Sequence, residues 1–281
     1  MKINIVNYEQ ALGLDGILSK YAHSMDYALT ELGHEVSVMA TPTPAADVNH
    51  HINYQSYVHQ PGTINTLQIT HITDDDRIQC VKRGMTTADY GVCFSHQTED
   101  KLSALGIENI TTILPAHDSL DRRPLIISLL TNVYPNGCKR ERMFLALLKT
   151  IDVKKFVFII MGSGWGPVLE PLLKSSVQLQ LFPVFEPKAY AKILMLSDYC
   201  LYLGEDEGSM GILDAAHARV QTIAPNTGFH REIGITHPFG SQKKLNAIFQ
   251  QLEHTSVDTW TWENYCKQHI KLWEALRKKS P

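Results

Sequence analysis

Short apolar runs alternate with stretches of helical spacing almost throughout this chain, and that alternation predicts parallel sheets covered by helices. Two strands joined through a helix pair in parallel, because the helix carries the chain back across one face of the sheet. In the first half, the run Ile3–Val6 leads through a loop with Gly13 and Gly16 into Ile17, Leu18, Tyr21, Met25, Ala28, Leu29 and Leu32, which recur at helical spacing. Gly33 closes that helix and residues 35–39 read as the next strand. Weaker strand signals lie at 64–72, 90–94 and 110–114, with a helix at 98–105. A second set follows the polar patch 118–124. Its strands are expected at 125–133, 156–161, 177–182, 199–203 and 222–224, and its helices at 140–150, 168–174, 188–196 and from Ser209.

The predicted fold class is therefore α/β: two Rossmann-like domains with an interdomain cleft, residues 1–120 forming the N-terminal domain and 121–281 the C-terminal one. Trp262, Tyr265, His269, Leu272, Trp273 and Leu276 share one helical face near the end. That last helix either packs on its own domain or returns to the first. A length of 281 residues is enough for two such domains.

Composition narrows the function. A net charge of −3 without a long basic stripe argues against nucleic acid as the main partner. Arg277-Lys278-Lys279 provides at most a peripheral membrane contact. Five scattered cysteines with no Cys-x-x-Cys pair suit reduced thiols, no signal-peptide pattern opens the chain, and no apolar run reaches the ~20 residues that span a bilayer. A cytoplasmic protein is expected.

The segment Leu201–Ile233 carries most of the chemistry. An apolar strand runs into the acidic turn Gly204-Glu205-Asp206-Glu207-Gly208, and the helix that follows begins with Ser209, Met210 and Gly211 and carries Asp214. Carboxylates accept hydrogen bonds from sugar hydroxyls, while free N–H groups at a helix start favour phosphate oxygens. An acidic turn that merely caps the helix is the alternative. Lys139 and Arg140, at a loop-to-helix junction, suit neutralisation of a diphosphate leaving group; the alternative is an exposed basic helix start, mildly unfavourable against the dipole.

Two glycine turns follow strands. Gly13-Leu14-Asp15-Gly16 lets backbone approach a phosphate or forms a plain tight turn. Gly162-Ser163-Gly164 follows the apolar run FVFIIM and offers a surface for a base or phosphate. His71 and Asp74-Asp75-Asp76 end another strand signal; the aspartates read as a metal-holding Asp-x-Asp or as a solvated cap. His50-His51 has no ligand spacing with a cysteine pair and is read as surface.

With these residues assembled, the chain resembles the retaining GT-B glycosyltransferases of the group 1, or family 4-like, type, which include many bacterial polysaccharide and lipopolysaccharide transferases. The likeness spans nearly the whole chain and is strongest over Leu125–Ile233. Leu213-Asp214-Ala215 matches the family's Leu-Glu-Ala element, so Asp214 resembles the acid that binds the nucleotide ribose. Spacing makes Asp206 the first acid of the motif, whereas the Glu-Gly context makes it Glu207, which is favoured. Gly33-His34-Glu35-Val36, Thr70-His71 and the basic pair Lys139-Arg140 match other family features. The usual Gly-x-Pro is Arg219-Val220-Gln221 here, the second acid is aspartate, and the N-terminal half is short.

The resemblance implies transfer of a sugar from a UDP- or GDP-sugar to an acceptor hydroxyl (of a glycan, lipid-linked saccharide or similar), with retention and without a required metal or other cofactor. The residues it implies for catalysis are Glu207, Lys139, Arg140 and His71. Those implied for donor binding are Asp15, Gly16, Gly162, Ser163, Gly164, Asp206, Gly208, Ser209, Met210, Gly211 and Asp214. Rival readings are a metal-dependent transferase using Asp74 and Asp76, a sugar-nucleotide epimerase, and a non-catalytic sugar-nucleotide-binding protein.

Overall fold

A computed structural model of the protein describes residues 1–13, 16–118, 122–172, 176–206 and 209–279. The chain forms two α/β units, Met1–Leu120 with Ser256–Pro281, and Asp121–Thr255. Each holds one six-stranded, wholly parallel sheet flanked by helices, as the alternation predicts.

The first unit contains β1 (Lys2–Val6), β2 (Glu35–Met39), β3 (Val48–His51), β4 (Ile64–Ile69), β5 (Tyr90–Cys93) and β6 (Ile110–Thr112), in the order β2-β1-β3-β4-β5-β6. Its helices are α1 (Ile17–Glu31), α2 (Asp75–Met85), α3 (His96–Ala104) and the C-terminal helix (Trp262–Lys279). The C-terminal helix buries Tyr265, Cys266, His269 and Trp273. Tyr265 donates to Gln68 Oε1 of β4 at 2.7 Å, and Trp273 Nε1–H to Thr66 Oγ1 at 3.3 Å.

Two elements here escape the periodicity. β3 is spelled Val-Asn-His-His, yet all four residues are buried. Asn4 Nδ2 donates to Asn49 Oδ1 at 2.9 Å and Asn49 Nδ2 to Thr63 Oγ1 at 2.9 Å, so polar letters are paid for by hydrogen bonds inside the sheet. The expectation that His50 and His51 lie on the surface is overturned: they are 0% and 1% exposed. The second missed element is α2, whose mostly polar turns bury only Ile78, Val81 and Gly84. Asp74 is its N-cap, accepting from the Arg77 N–H at 2.9 Å and pairing with the Arg77 guanidinium at 3.4 Å. The strand signal at 64–72 accordingly stops at Ile69.

The second unit contains β7 (Leu125–Leu130), β8 (Phe156–Met161), β9 (Gln178–Phe182), β10 (Tyr199–Leu201), β11 (Gln221–Pro225) and β12 (His237–Phe239). The helices are α4 (Glu141–Leu148), α5 (Trp165–Leu169), α6 (Pro187–Leu196), α7 (Met210–His217), α8 (His230–Ile233) and α9 (Gln242–Leu252). Five of the six residues of FVFIIM in β8 are buried, the pattern of a strand covered on both faces. Phe144, Phe156, Phe158, Trp165 and Phe249 fill one side of this sheet. β12 and α9 were not expected; β12 is only three residues long. Among the described residues no helix is long and apolar enough to cross a membrane.

Candidate functional site

The sheet order of the second unit is β12-β11-β10-β7-β8-β9. Chain order runs outward from β7 in one direction and outward from β10 in the other, so β7 and β10 flank a topological switch point. Loops leaving adjacent strands there diverge to opposite faces and open a crevice at the carboxyl ends, where ligands of open α/β sheets bind. A cavity of about 410 Å³ lies at this place. Leu130, Thr131, Asn132 and Lys139 line it from the end of β7 and its loop; Ser209, Met210, Gly211 and Asp214 line it from the start of α7.

Lys139 is the cation of this cavity. Its side chain is 13% exposed, donates to Tyr202 Oη at 2.8 Å, and forms an ion pair with Asp206. Tyr202 in turn donates to Asp206. Burial alone would lower the Lys139 pKa, but the hydrogen bonds to Asp206 and Tyr202 outweigh it and hold the ammonium above its ordinary range. Burial pushes the Asp206 carboxyl the other way from its neighbours, yet Lys139 and Tyr202 prevail and keep it below the usual carboxylate value. The phenol of Tyr202 is pushed up to about 12 by burial and by the Asp206 carboxylate.

Arg140 goes elsewhere. It sits in the left-handed region at φ +49°, an uncommon conformation for a residue with a Cβ. Its Nε–H donates to the Leu203 carbonyl at 2.5 Å and its Nη2 to that of Gly204 at 3.4 Å, with Glu205 at 3.6 Å and the Phe239 ring at 5.8 Å. The guanidinium therefore braces the loop after β10 and lines a second cavity with Glu205, Thr227 and Phe239. The adjacent cations diverge around that loop.

α7 starts without a side-chain cap: the Ser209 hydroxyl accepts no bond from the first-turn amides, and the Ser209 carbonyl accepts that of Ile212 at 3.0 Å. Ser209 is fixed through its backbone instead. The buried His230 places Nδ1 2.9 Å from the Pro225 carbonyl and Nε2 3.1 Å from the Ser209 N–H. A carbonyl can only accept, so Nδ1 carries the proton and Nε2 is the acceptor for Ser209. One turn further, Asp214 faces the cavity and accepts from the Tyr190 hydroxyl at 2.5 Å. Burial and the bond to Asp214 raise the Tyr190 pKa. Asp214 keeps further lone pairs for other donors.

The glycine turn after β8 is required by close approach. Gly162 has φ +151° and Gly164 φ +83°, and an added Cβ would stand 2.1 Å from the Thr131 carbonyl oxygen and 2.2 Å from that of Val133, respectively. The amides of the turn are partly used: Gly162 N–H donates to Phe182 O at 2.9 Å and Ser163 N–H to Asn132 Oδ1 at 2.8 Å. Gly162 still lines the cavity.

In the first unit, His71 lines a separate cavity of about 360 Å³ with Glu9, Tyr21, Tyr54, Gln68 and Phe94. This cavity lies at the carboxyl ends of β1, β3, β4 and β5. Gly16 is the N-cap of α1, and a Cβ there would meet Glu9 Oε2 at 3.1 Å. Asp15, Glu207 and Gly208 lie outside the described residues. Tyr202, Tyr190 and His230 were not singled out from the sequence. The only signal was position: Tyr202 lies in the strand signal just before the acidic turn, and tyrosine and histidine are common in any core.

No protein-family profile matches the chain, and no curated protein does. Solved structures that align with it include sucrose-phosphate synthase from Thermosynechococcus elongatus, at 13% identity over 100% of both chains with a TM-score of 0.41. AviGT4, a glycosyltransferase involved in avilamycin A biosynthesis, aligns at 13% identity over 98% of both chains with a TM-score of 0.38. Anabaena Alr3699/HepE in complex with UDP-glucose aligns at 11% identity over 99% of both chains, also at 0.38. Likenesses of this size carry no assignment of activity, which rests on the cavity itself.

Proposed function

We propose that the chain is a glycosyltransferase that takes a sugar from a nucleoside diphosphate donor and passes it to an acceptor hydroxyl. The observation that supports this is that Lys139 and Asp214, far apart in the chain, line one cavity at the switch point of the second unit, beside a helix start that lacks a side-chain cap. In this reading Lys139 neutralises the diphosphate and stabilises the charge that builds on it as the glycosidic bond breaks. The first-turn amides of α7 add partial positive charge for a phosphate oxygen. Asp214, oriented by Tyr190, accepts from a ribose hydroxyl. Glu207 remains the favoured contact to the donor sugar by resemblance alone.

Retention at the anomeric carbon, independence from metal and a UDP- or GDP-sugar as donor are further parts of the proposal, and they come from the family likeness of the motif. The first unit, with His71 at its cavity, is read as the acceptor side and its ligand as a saccharide or similar hydroxyl compound. The five free thiols suit a cytosolic setting.

Calorimetric titration with UDP, GDP and their hexose conjugates tests the proposal, followed by detection of released nucleoside diphosphate with and without candidate acceptors. Binding of one nucleoside diphosphate, weakened in Lys139→Ala and Asp214→Ala, is expected. Absence of binding by all of them would falsify the reading. Conversion of a sugar nucleotide with no acceptor would replace it with an epimerase, and loss of turnover with a chelator would remove metal independence.

A further inference from the structure

Tyr202 belongs to none of the motif elements, yet it stands at the centre of the polar contacts of the cavity's cation. It follows β10 directly, is 2% exposed, and its N–H donates to the Ile223 carbonyl at 2.9 Å. An ammonium group has only donors, so the Tyr202 oxygen accepts from Lys139, and the phenolic proton goes to Asp206. Lys139 also donates to Asp206 directly, which closes a three-membered ring of hydrogen bonds. The Tyr202 ring meets His230 edge-on at 5.6 Å, and His230 is itself locked by Pro225 and Ser209. An added Cβ at Gly204 would stand 2.4 Å from Tyr202 Oη and 2.5 Å from Asp206 Oδ1, so the ring of contacts closes only because residue 204 is glycine.

The three partners are not equivalent towards an incoming anion. Asp206 is 46% exposed along its side chain and carries a negative charge, so a diphosphate arriving at Lys139 repels it. Tyr202 is neutral and buried, and nothing repels it. Lysine has a long flexible stem, and without a fixed neutral acceptor its ammonium would be free to leave with Asp206.

We propose that Tyr202 is a positioning residue, whose hydroxyl keeps the Lys139 ammonium aimed into the switch-point cavity when a diphosphate takes over from Asp206. The proposal rests on the donor reading given above. Phenylalanine fills the same space, so the hydroxyl can be removed with the ring packing kept.

The test is a double-mutant cycle on the equilibrium binding of UDP and GDP, using Tyr202→Phe, Lys139→Met and the two together. Loss of one hydrogen bond to a charged group predicts about tenfold to a hundredfold weaker binding of the preferred nucleotide in Tyr202→Phe. In the Lys139→Met background the same change should have no further effect, because the group it positions is gone. Gly204→Ala, which disturbs the contacts from the backbone side with both hydroxyl and ammonium present, should weaken binding comparably, and it carries the test if Tyr202→Phe fails to fold. Unchanged affinity in Tyr202→Phe, or an equal loss in both backgrounds, overturns the positioning role and leaves the donor reading standing. A wild-type protein that binds neither nucleotide overturns both.

Discussion

Lys139 and Arg140 are consecutive residues whose side chains line different cavities, Lys139 the switch-point cavity and Arg140 the one beside Phe239. The left-handed conformation of Arg140 accompanies this divergence. The two substitutions therefore have different expected signatures. Lys139→Ala should reduce turnover by about a hundredfold or more, the size expected for a group that stabilises transition-state charge, with little change in melting temperature. Arg140→Ala should instead lower thermal stability, because it frees the Leu203 and Gly204 carbonyls. Steady-state kinetics and a thermal melt on both variants check this. Equal losses of activity at unchanged stability would contradict it.

Asp214 and Tyr190 act as a pair. Asp214→Ala is expected to weaken nucleotide binding by about tenfold to a hundredfold, the value of a charge-assisted hydrogen bond. Tyr190→Phe should give a smaller loss in the same direction, since the carboxylate remains but is less well oriented. Titration of the preferred nucleoside diphosphate into both variants measures the ratio.

Gly162→Ala should act on the fold before it acts on function. The new methyl group would collide with the Thr131 carbonyl at a backbone angle that disfavours any side chain. A destabilisation of roughly 2–4 kcal/mol is expected from urea denaturation. Stability equal to wild type would mean that the strand ends can separate without cost.

Acid should loosen the first unit. Burial lowers the His50 pKa to about 3, with the neighbouring His51 adding to it, and burial takes His51 to about 4; burial and His50 hold His269 well below the ordinary value. His50 and His269 face each other at 4.7 Å between β3 and the C-terminal helix, and His50 Nε2 and both His269 nitrogens find no hydrogen-bond partner among the described residues. Their folded-state values lie below the unfolded value of about 6.5, so the unfolded chain binds more protons through this window. The stability they permit is fully present above about pH 6.5 and falls as pH drops towards about 3. His269→Leu should flatten that acid limb in denaturation midpoints measured from pH 7 to pH 4. An unchanged slope would locate the titration elsewhere.

The sheet-forming pattern was readable wherever side chains announce burial. FVFIIM became β8 over the residues expected, and the helices at 98–105 and 188–196 lie within a residue or two of α3 and α6. β3 was not readable because Asn49 and His50 are satisfied by Asn4 of β1, Thr66 of β4 and the loops at Thr43 and Thr63. The strand's own residues do not announce Asn4 or Thr66 as partners. In the cavity, the spacing of Lys139, Ser209 and Asp214 after strand ends led to one place, because strand ends are where loops converge. Tyr202 and His230 stayed hidden for the opposite reason. Their roles depend on which backbone groups lie next to them, and that is set by the packing of α7 and β11.

The return of the C-terminal helix to the first sheet makes the second unit an insertion, with the first unit begun at Met1 and finished only by Ser256–Pro281. During synthesis the second unit is complete as a contiguous stretch before its predecessor has the helix that covers Thr66 and Gln68. The inserted unit can thus fold first. A nascent chain cut before the last helix leaves His50 without the cover of His269 and Trp273, so loss of that helix is felt in β3, about two hundred residues away.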